Sequence, residues 1–432
     1  GIEGDLMRIV LNNNINNDLE VHFRVKYVVL LGDGMADYPT DKLNGKTPLQ
    51  CAFIPFMDQI AAEGTLGRVD TIPKGMNPGS DVATLSVLGY DPVENYTGRG
   101  PLEAASMGIN LEPNDMVYRC NLVTIGDKDS PAAFMDDFTA GHISTEEARE
   151  IILDINKELG LPPYQFFPGV GYRHLFVWRN SPDAPETTAP HDITGKGIAE
   201  YLPRGNSFEE INLITRRAGE ILLNHPVNAK RKNAGKKQAN SIWLWGQGRK
   251  PQMIPLTQKY SLSGGMISAV DLLKGIGIIA GLKVFNVEGA TGYIDTNYEG
   301  KAKMALDILN FMDFVFVHLE APDEMGHEGN AAGKIRAIEL FDEKIVGPVL
   351  NKIGSYGDYR IIVLSDHPTP LDVKTHVGDP SPFAVLSSIK EENKASGLPF
   401  NEITAKESSI LISPGHLLME KFISDWRSFV SQ

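Results

Sequence analysis

The chain has 432 residues, of which 42% are hydrophobic and 22% charged, and its formal net charge is −14. This length exceeds one ordinary hydrophobic core and predicts two domains, while the acidic balance argues against a nucleic-acid partner. Two cysteines exclude a disulfide scaffold and suit the reducing cytoplasm, and no apolar run approaches the roughly 18 residues of a membrane span. We therefore expect a globular cytoplasmic enzyme without nucleic-acid or membrane partners.

The first 20 residues show no hydrophobic periodicity, and we expect residues 1–20 to be a tag remnant or a loosely ordered extension. The first clear element is an apolar strand at Tyr27–Leu31, which is followed by Asp33 between two glycines. Because glycine allows a tight turn, Asp33 can point back over the end of this strand.

Ser80 opens an apolar helical pattern that follows the sequence Asn-Pro-Gly. A serine at this place is most often an N-cap. A helix N-terminus also favours phosphate, and a hydroxyl held there beside a metal ion can become a nucleophile. The pattern alone leaves both roles of Ser80 open.

The middle of the chain, from 121 to 239, is broken by Pro- and Gly-rich stretches and ends in a basic run at 230–237. We interpret that run as a solvated loop. The polar side chains of this part include His142, Arg173, Asp192 and Lys196. An isolated histidine in such a setting is usually a structural residue.

Two short stretches near the C-terminus place carboxylates beside imidazoles. Asp323 and His327 are four residues apart, so on a helical turn they lie on one face. Asp323 could instead cap a helix whose solvated face carries Lys334, and a lone Asp–His pair is more often solvated than a ligand pair.

The second stretch is Asp366-His367, which follows an apolar run at 360–364 typical of a buried strand. These residues would then stand at the carboxyl end of the strand, where open α/β sheets place their active sites. His376 comes soon after. Repeated Asp and His without a thiolate favour a site for Mn, Zn or Co rather than Ca.

Strand-like runs alternate with helical patterns, which predicts a mostly parallel sheet with helices on both faces. The strand-like runs are Tyr27–Leu31, Phe314–His318 and Arg360–Leu364, and the helical patterns are Ile54–Glu63, Lys301–Leu309 and Ala331–Ile345. Because the candidate ligands lie at both ends of the chain yet must meet, the core is expected to be discontinuous. We predict a metal-binding core at 21–120 and 240–432, with an inserted α+β cap at 121–239.

The chain resembles the archaeal-type cofactor-independent phosphoglycerate mutases of the alkaline phosphatase superfamily. The matching stretches are 31–34, 77–81, 97–104, 140–143, 244–248, 289–293, 320–329 and 366–370. The chain also looks very like a subgroup that has been proposed to contain homoserine kinases. The resemblance therefore implies an alkaline-phosphatase-like α/β core with a cap, and it is more specific for the metal site than for the substrate.

The resemblance implies a site for two divalent metal ions, with manganese expected, zinc, cobalt and magnesium as alternatives, and no requirement for 2,3-bisphosphoglycerate. The implied ligands of one ion are Asp323, His327 and His376, and those of the other are Asp33, Ser80, Asp366 and His367. Two cations about 3.5–4 Å apart can clamp a phosphoryl group and lower the pKa of a coordinated hydroxyl.

Further positive charge is needed around a bound phosphate. Arg99, between two glycines, suits bidentate recognition of phosphate, whereas Lys274 is equally consistent with a surface lysine. In the cap, the resemblance implies that His142 is the first candidate to bind substrate. Arg173 follows, then Asp192 and Lys196.

The expected reaction interconverts 3-phosphoglycerate and 2-phosphoglycerate through a phosphoserine on Ser80, with the cap holding glycerate and excluding water. Three alternatives stay open: a homoserine kinase-like transfer from a nucleotide, a metal-dependent phosphatase, and a metal-binding scaffold without catalysis. The sequence also leaves the oligomeric state open.

Overall fold

The computed structural model describes residues 25–426, so the expectation for residues 1–20 lies outside the described part. The strands are β1 (Lys26–Gly32), β2 (Thr65–Val69), β3 (Met116–Gly126), β4 (Phe134–Asp137), β5 (Tyr164–Val170), β6 (Arg173–Trp178), β7 (Ser241–Arg249), β8 (Gly264–Ile267), β9 (Lys283–Val284), β10 (Phe314–Leu319), β11 (Tyr359–Ser365), β12 (Ser381–Ser387) and β13 (Leu411–Ile412). They form two sheets.

The helices surround these sheets, and a π-helical turn at Asp342–Val346 joins the helix that ends at Phe341 to the helix that begins at Gly347. They are α1 (Pro48–Cys51), α2 (Pro55–Glu63), α3 (Ser80–Val87), α4 (Pro92–Asn95), α5 (Arg99–Ser106), α6 (Thr145–Leu159), α7 (Phe208–Leu223), α8 (Pro226–Asn233), α9 (Leu256–Lys259), α10 (Asp271–Ile279), α11 (Tyr298–Leu309), α12 (Ala321–Glu328), α13 (Ala331–Phe341), α14 (Gly347–Ile353), α15 (Glu402–Glu407) and α16 (Leu417–Ile423). Within residues 25–426, no helix has the length and apolarity needed to cross a membrane.

The larger sheet has the order β13-β2-β12-β11-β1-β10-β8-β9. Strand β12 runs antiparallel to β11 and β2, and the other neighbouring pairs are parallel. Side chains of β1 alternate between two hydrophobic clusters, because successive residues of a strand point to opposite faces. Val28 packs on the side of α11 and α13, and Val29 on the side of α10 and α16. The predicted fold class is confirmed.

The smaller sheet is antiparallel and is built from β3 to β7. Helices α6 and α7 cover one of its faces with buried side chains such as Ile151 and Ile214. Helix α6 begins with a capping box, in which Ser144 and Glu147 satisfy each other's backbone N–H groups. The predicted boundaries at 121 and 239 fall inside β3 and just before β7, and the division into core and cap stays a prediction.

The basic run at 230–237 is the solvated loop that we predicted only in its second part, where residues 234–237 are exposed and lie outside the helices. Its first part lies in α8, and Arg231 is 2% exposed. The Arg231 guanidinium donates to the Glu147 carboxylate (2.6 Å) and to the carbonyl oxygen of Ala140 (2.8 Å). A buried charge is tolerated when it is paired and hydrogen-bonded, and these partners supply both conditions.

Lys334 of α13 is also buried, which argues against the alternative that Asp323 caps a helix whose solvated face carries Lys334. Its ammonium group donates to the Asp37 carboxylate (2.8 Å) and to the carbonyl oxygens of Ala36 (3.2 Å) and Thr369 (2.9 Å). Asp37 follows β1 and Thr369 follows β11. The hydrogen bonds of Lys334 therefore join the loop after β1 to the loop after β11.

Candidate active site

The carboxyl ends of three central strands meet at one edge of the larger sheet. In the parallel register, Gly32 at the end of β1 pairs with Leu319 of β10 and with Ser365 of β11. Asp33 and Asp366 directly follow these paired positions, and α12 begins just after β10. The topology therefore brings residues from distant parts of the chain to the place where open α/β sheets bind ligands.

A glycine permits the close approach of α12 to this edge. Gly34 has φ +60°, and a Cβ atom there would lie 2.8 Å from the Cα atom of Asp323 and 2.6 Å from the Thr369 hydroxyl. A side chain at this position would be strained by its φ and would collide with both neighbours. The flanking glycine noted in the sequence thus allows Asp323 to reach the loop that carries Asp33.

Ser80 is the first residue of α3, and its side chain does not cap the helix. The N-cap position is Gly79, without a side-chain cap. The Ser80 hydroxyl instead lies 3.1 Å from Asp33 Oδ1 and 3.1 Å from His367 Nε2. The structure therefore places the serine hydroxyl among the candidate metal ligands.

The group around Ser80 contains a buried carboxylate oxygen without a partner. Asp366 Oδ1 accepts hydrogen bonds from the backbone N–H groups of Gly34 (3.0 Å) and His367 (2.8 Å). Asp366 Oδ2 has no hydrogen-bond partner among the described residues, and it lies 3.4 Å from His367 Nε2. Buried polar atoms are almost always satisfied, so this oxygen fits a cation.

The second group consists of Asp323, His327 and His376. Nε2 of His327 lies 3.1 Å from Asp323 Oδ2 and 2.9 Å from His376 Nε2, which is itself 3.3 Å from Asp323. His327 Nδ1 faces the carbonyl oxygen of Lys374 (3.1 Å), to which it can only donate. In a neutral imidazole the Nε2 lone pair is then directed at its neighbours, as a metal ligand requires.

The two groups are continuous. Ligand atoms of Asp33, Asp366 and His367 lie within 4.8 Å of one another, and so do those of Asp323, His367 and His376. The rings of His367 and His376 are 4.2 Å apart between centroids. The structure thus brings all seven predicted ligands into one cluster of oxygen and nitrogen donors without thiolate, a donor set that fits divalent cations such as Mn or Zn.

Charge repulsion is strong in this cluster. Burial and the neighbouring carboxylates of Asp366 and Asp323 raise the pKa of Asp33 well above its usual range. Burial also acts on Asp323, but hydrogen bonds from His327 and His376 lower the pKa of this carboxyl. The bond to Asp323 raises the pKa of His327 to about 9. Divalent cations would supply the positive charge that protons otherwise provide.

Arg99 and Lys274 lie on two helices, α5 and α10, that pack against each other. Arg99 Nε is 3.1 Å from the carboxylate of Asp81, the residue after Ser80, and its side chain is half exposed. Lys274 belongs to α10, which packs against α3 and α5, and its nearest carboxylate is Asp271 at 3.6 Å. Both cations stand on elements that contact the serine helix.

The predicted cap residues are more scattered. Arg173 lines a cavity of about 300 Å³ together with Arg99. His142 is exposed with φ 48°, and Lys196 donates to the carbonyl oxygen of Asp192 (3.1 Å). In the part of the chain that the structure describes, no hydrogen bond or ion pair joins His142, Asp192 or Lys196 to the ligand cluster.

Sequence reasoning missed His318, which is fully buried at the end of β10. Its Nε2 donates to Asp33 Oδ2 (2.9 Å), and its Nδ1 lies 3.2 Å from the Ser268 hydroxyl. The backbone N–H of Val270 donates to that same hydroxyl (3.0 Å). The chain of hydrogen bonds fixes the imidazole and leaves Asp33 Oδ1 facing Ser80. The signal available in the sequence was a histidine that closes a predicted central strand.

Thr369 was also missed. Its hydroxyl donates to the carboxylate of Asp323 and lies 3.3 Å from His367 Nδ1. Thr369 therefore contacts a predicted ligand of each metal ion. The Asp366-His367 pair is the recognisable motif of this segment, and the threonine two positions after it belongs to no comparable pattern.

The fold and the cluster define a class of protein: an α/β protein whose sheet edge carries candidate metal ligands around a serine hydroxyl. Residues 61–228 match the family model of 2,3-bisphosphoglycerate-independent phosphoglycerate mutase. The chain is 49% identical over 399 residues to a probable 2,3-bisphosphoglycerate-independent phosphoglycerate mutase of Geobacter sulfurreducens, covering 92% of this chain and 100% of the other. It is 51% identical over 388 residues to the mutase of Methanosarcina barkeri, covering 89% and 96%.

Solved structures agree. The PH0037 protein from Pyrococcus horikoshii has a TM-score of 0.77 and 29% identity, covering 94% of this chain and 98% of that chain. The cofactor-independent phosphoglycerate mutase from Thermoplasma acidophilum has a TM-score of 0.68 and 26% identity, covering 92% and 98%. The chain belongs to the 2,3-bisphosphoglycerate-independent phosphoglycerate mutase family, which confirms the resemblance found in the sequence.

The ligand assignment predicts how metal stoichiometry responds to substitution. Asp323→Asn or His327→Ala should reduce bound Mn²⁺ from two ions per chain to one, because each change removes a donor of one group only. Metal analysis of the dialysed proteins measures this. Asp115→Asn changes a buried carboxylate of the other sheet and should retain two ions. Two ions retained by both cluster variants would contradict the assignment.

The position of His318 predicts a selective loss of metal affinity. His318→Leu should weaken Mn²⁺ binding at the Asp33 site about 10- to 100-fold, as is typical when a hydrogen-bond partner of a ligand is removed. His318→Gln, which can still donate, should recover much of the affinity. Calorimetric titration with Mn²⁺ resolves the two sites, and binding at the Asp323 site reports an intact fold.

His174→Leu is the matched control, because His174 is equally buried but lies in β6 of the smaller sheet. It should leave both Mn²⁺ affinities unchanged. Equal weakening at the two sites by His318→Leu would mean that His318 has only a general structural role.

Proposed function

We propose that the protein is a metal-dependent phosphoglycerate mutase that interconverts 3-phosphoglycerate and 2-phosphoglycerate without 2,3-bisphosphoglycerate. The observation that carries the proposal is the Ser80 hydroxyl, 3.1 Å from both Asp33 and His367 at the start of a helix. Membership of the mutase family supports the substrate. A serine held in this way can take a phosphoryl group from one hydroxyl of glycerate and return it to the other.

We propose manganese as the metal. One ion would be held by Asp323, His327 and His376, and the other by Asp33, Ser80, Asp366 and His367. When bound, two such ions lower the pKa of a hydroxyl and stabilise the entering and leaving oxygens of an in-line transfer. The mixed carboxylate and imidazole donors support this choice over calcium.

The first half of the reaction forms the phosphoserine. The Ser80 proton must leave before attack, and its acceptor is Asp33 Oδ1, to which the hydroxyl donates at 3.1 Å. The Ser80 oxygen then bonds to phosphorus while the bond to O3 of the substrate breaks, and O3 takes up the proton released from Ser80, which leaves glycerate with a free 3-hydroxyl. Arg99 and Lys274 would hold the phosphate oxygens in line.

The second half returns the phosphoryl group. The 2-hydroxyl of glycerate loses its proton and its oxygen attacks the phosphoserine, and the Ser80 oxygen takes up that proton as its bond to phosphorus breaks. Glycerate must therefore stay bound while it exchanges one hydroxyl for the other, and water must be kept away. We propose that residues 121–239 form the cap that does this, with His142, Arg173, Asp192 and Lys196 on the glycerate side. We also propose that the enzyme acts in the cytoplasm, which rests on its glycolytic type of reaction and its cysteine content.

The nucleophile is tested by Ser80→Ala. Turnover of 3-phosphoglycerate should be abolished while the free energy of unfolding hardly changes, because the serine caps no helix. A coupled assay and denaturant unfolding measure the two effects. Ser144→Ala provides the opposite control: it removes a real cap and should cost about 1 kcal/mol of stability with turnover intact. Wild-type turnover in Ser80→Ala would exclude the phosphoserine route.

The cap is tested by following the phosphoryl group. With isotopically labelled 3-phosphoglycerate and no nucleotide, label should pass to 2-phosphoglycerate much faster than to inorganic phosphate. His142→Ala and Arg173→Ala should reduce mutase turnover more than hydrolysis of an aryl phosphate, because positioning rather than cleavage is lost. Arg179→Ala changes an arginine that directly follows β6 and pairs with Asp115, and it should reduce neither.

Two outcomes of this experiment would favour other functions. Release of most of the label as inorganic phosphate would indicate a phosphatase. An enzyme inert with 3-phosphoglycerate that phosphorylates homoserine from ATP would indicate a kinase.

A further inference from the structure

One buried ion pair contacts both of the loops that carry most of the candidate metal ligands. It joins Lys334 of α13 to Asp37, 2.8 Å apart, and the two side chains are 0% and 1% exposed. Removing two charges from water costs free energy, and an apolar pair of similar volume is often as stable or more stable. Stability alone is therefore a weak reason for an ion pair at this place.

The partners of Lys334 lie in both loops. An ammonium group has three N–H donors, and besides Asp37 this one binds the carbonyl oxygens of Ala36 (3.2 Å) and Thr369 (2.9 Å). Ala36 belongs to the loop after β1, three residues after Asp33, and Thr369 belongs to the loop after β11. One side chain therefore fixes the spacing between two loops that come from opposite ends of the sequence.

The carboxylate of Asp37 makes the same connection. It accepts from Lys334 and also from the backbone N–H of Leu371, whose nitrogen lies 3.3 Å from Oδ1 and 3.2 Å from Oδ2. Leu371 lies between Asp366 and His376 in the sequence. The segment that carries these two candidate ligands is therefore held against the loop after β1 by a second set of hydrogen bonds.

Glu402 extends the network to the first residue of α15. Its Oε1 accepts from the backbone N–H of Asp37 (2.8 Å), and its Oε2 accepts from the Thr47 hydroxyl (2.7 Å). Glu402 therefore fixes the main chain of Asp37, while Lys334 fixes its side chain. The three charged groups act on one short loop from three different helices or loops of the core.

Thr369 connects this network to the other group of candidate ligands. Its carbonyl oxygen accepts from Lys334, and its hydroxyl donates to the Asp323 carboxylate. Asp323 belongs to one predicted metal site, and Asp33, on the loop after β1, belongs to the other. A displacement of Lys334 would therefore disturb donors of both sites at once.

We infer that Lys334, Asp37 and Glu402 form a positioning unit that sets the geometry of both metal sites together. This inference rests on the two-metal part of the proposed function. Within residues 25–426, none of the three side chains has a hydrogen bond or ion pair with a candidate metal ligand, so they act through the loops. The unit differs from His318, which bonds to one ligand, Asp33, and should affect one site.

The test replaces the whole ion pair, so that no charge is left buried without a partner. Asp37→Leu combined with Lys334→Met should still give a protein that unfolds cooperatively in denaturant with a chelator present. This double variant should bind Mn²⁺ about 10- to 100-fold more weakly at both sites, as is typical when the support of metal ligands is removed. Calorimetric titration with Mn²⁺ measures the two affinities.

Glu402→Ala is the second variant, and it decides the question if the double variant does not fold. It changes a partly exposed residue and leaves the ion pair in place. It should weaken both sites about 3- to 10-fold, which corresponds to the loss of one hydrogen bond. Glu402→Gln, which keeps an acceptor for the backbone N–H of Asp37, should recover most of this affinity.

The matched control changes the buried ion pair between α6 and α8. Arg231 also donates to a carboxylate, that of Glu147, and to a backbone carbonyl oxygen. Arg231→Met combined with Glu147→Gln should leave both Mn²⁺ affinities unchanged, because these residues contact neither loop of the metal sites.

Turnover provides a further readout that a purely structural role would not give. In Glu402→Ala, the Mn²⁺ concentration for half-maximal turnover of 3-phosphoglycerate should rise by the same factor as the Mn²⁺ dissociation constants. At saturating Mn²⁺, kcat and the KM for 3-phosphoglycerate should return to wild-type values, because the network positions metal ligands and does not contact the substrate.

Wild-type Mn²⁺ affinity at both sites in Glu402→Ala and in a folded double variant would show that the network serves stability only. Weakening at one site alone would refute the joint positioning of both sites. A wild-type enzyme that binds two Mn²⁺ ions but does not convert 3-phosphoglycerate would overturn the mutase reaction and leave this inference intact. A wild-type enzyme that binds fewer than two ions would overturn this inference together with the two-metal proposal.

Discussion

Burial of several carboxylates at one sheet edge is the constraint on which the rest of this molecule depends. Asp33 and Asp366 are 1% and 0% exposed, and their oxygens lie within 4.8 Å of one another. Two like charges about 4 Å apart repel by about 4 kcal/mol at an effective dielectric constant of about 20. Asp323 adds a third charge nearby. Such a cluster is stable with its carboxylates ionised only when cations offset it, and the surrounding loops must hold the oxygens where cations can bind.

The core provides two kinds of compensation. Behind the site, Lys334 and Lys301 are fully buried, and they donate to Asp37 and to the carbonyl oxygen of His318, respectively. These hydrogen bonds restrain the loop that follows β1 and the end of β10. In front, the histidines of the cluster direct nitrogen atoms at the carboxylates. Negative charge still dominates, since burial and the neighbouring Glu324 and Asp323 raise the pKa of Glu320 to about 7. The arrangement of donors therefore suits divalent cations. Protons and lysine side chains supply only part of the positive charge that such cations would bring.

Local patterns revealed the central strands and the conspicuous ligands. The run before Asp33 and the run before Asp366 are continuous and apolar, as buried parallel strands require, and the spacing of Asp323 and His327 is that of one helix face. Local patterns did not predict the residues whose role depends on a partner far away in the sequence. His318 meets Asp33 across 285 residues of chain, and the burial of Lys334 follows from carbonyl groups that only the fold brings to it. Sequence periodicity carries no information about such contacts.

The same distinction explains why the family was easier to recognise than the reaction. The phosphorus chemistry needs only the ligands and Ser80, which lie in short motifs of the core, and a kinase or a phosphatase of this architecture would need the same set. What distinguishes these reactions is the acceptor, and the residues that we propose on its side lie within 121–239, outside the motifs of the core. Arg173, for example, begins β6 of the smaller sheet, so it forms no motif with Ser80. The proposed selectivity therefore depends on residues of the smaller sheet, and local motifs of the core carry no information about it.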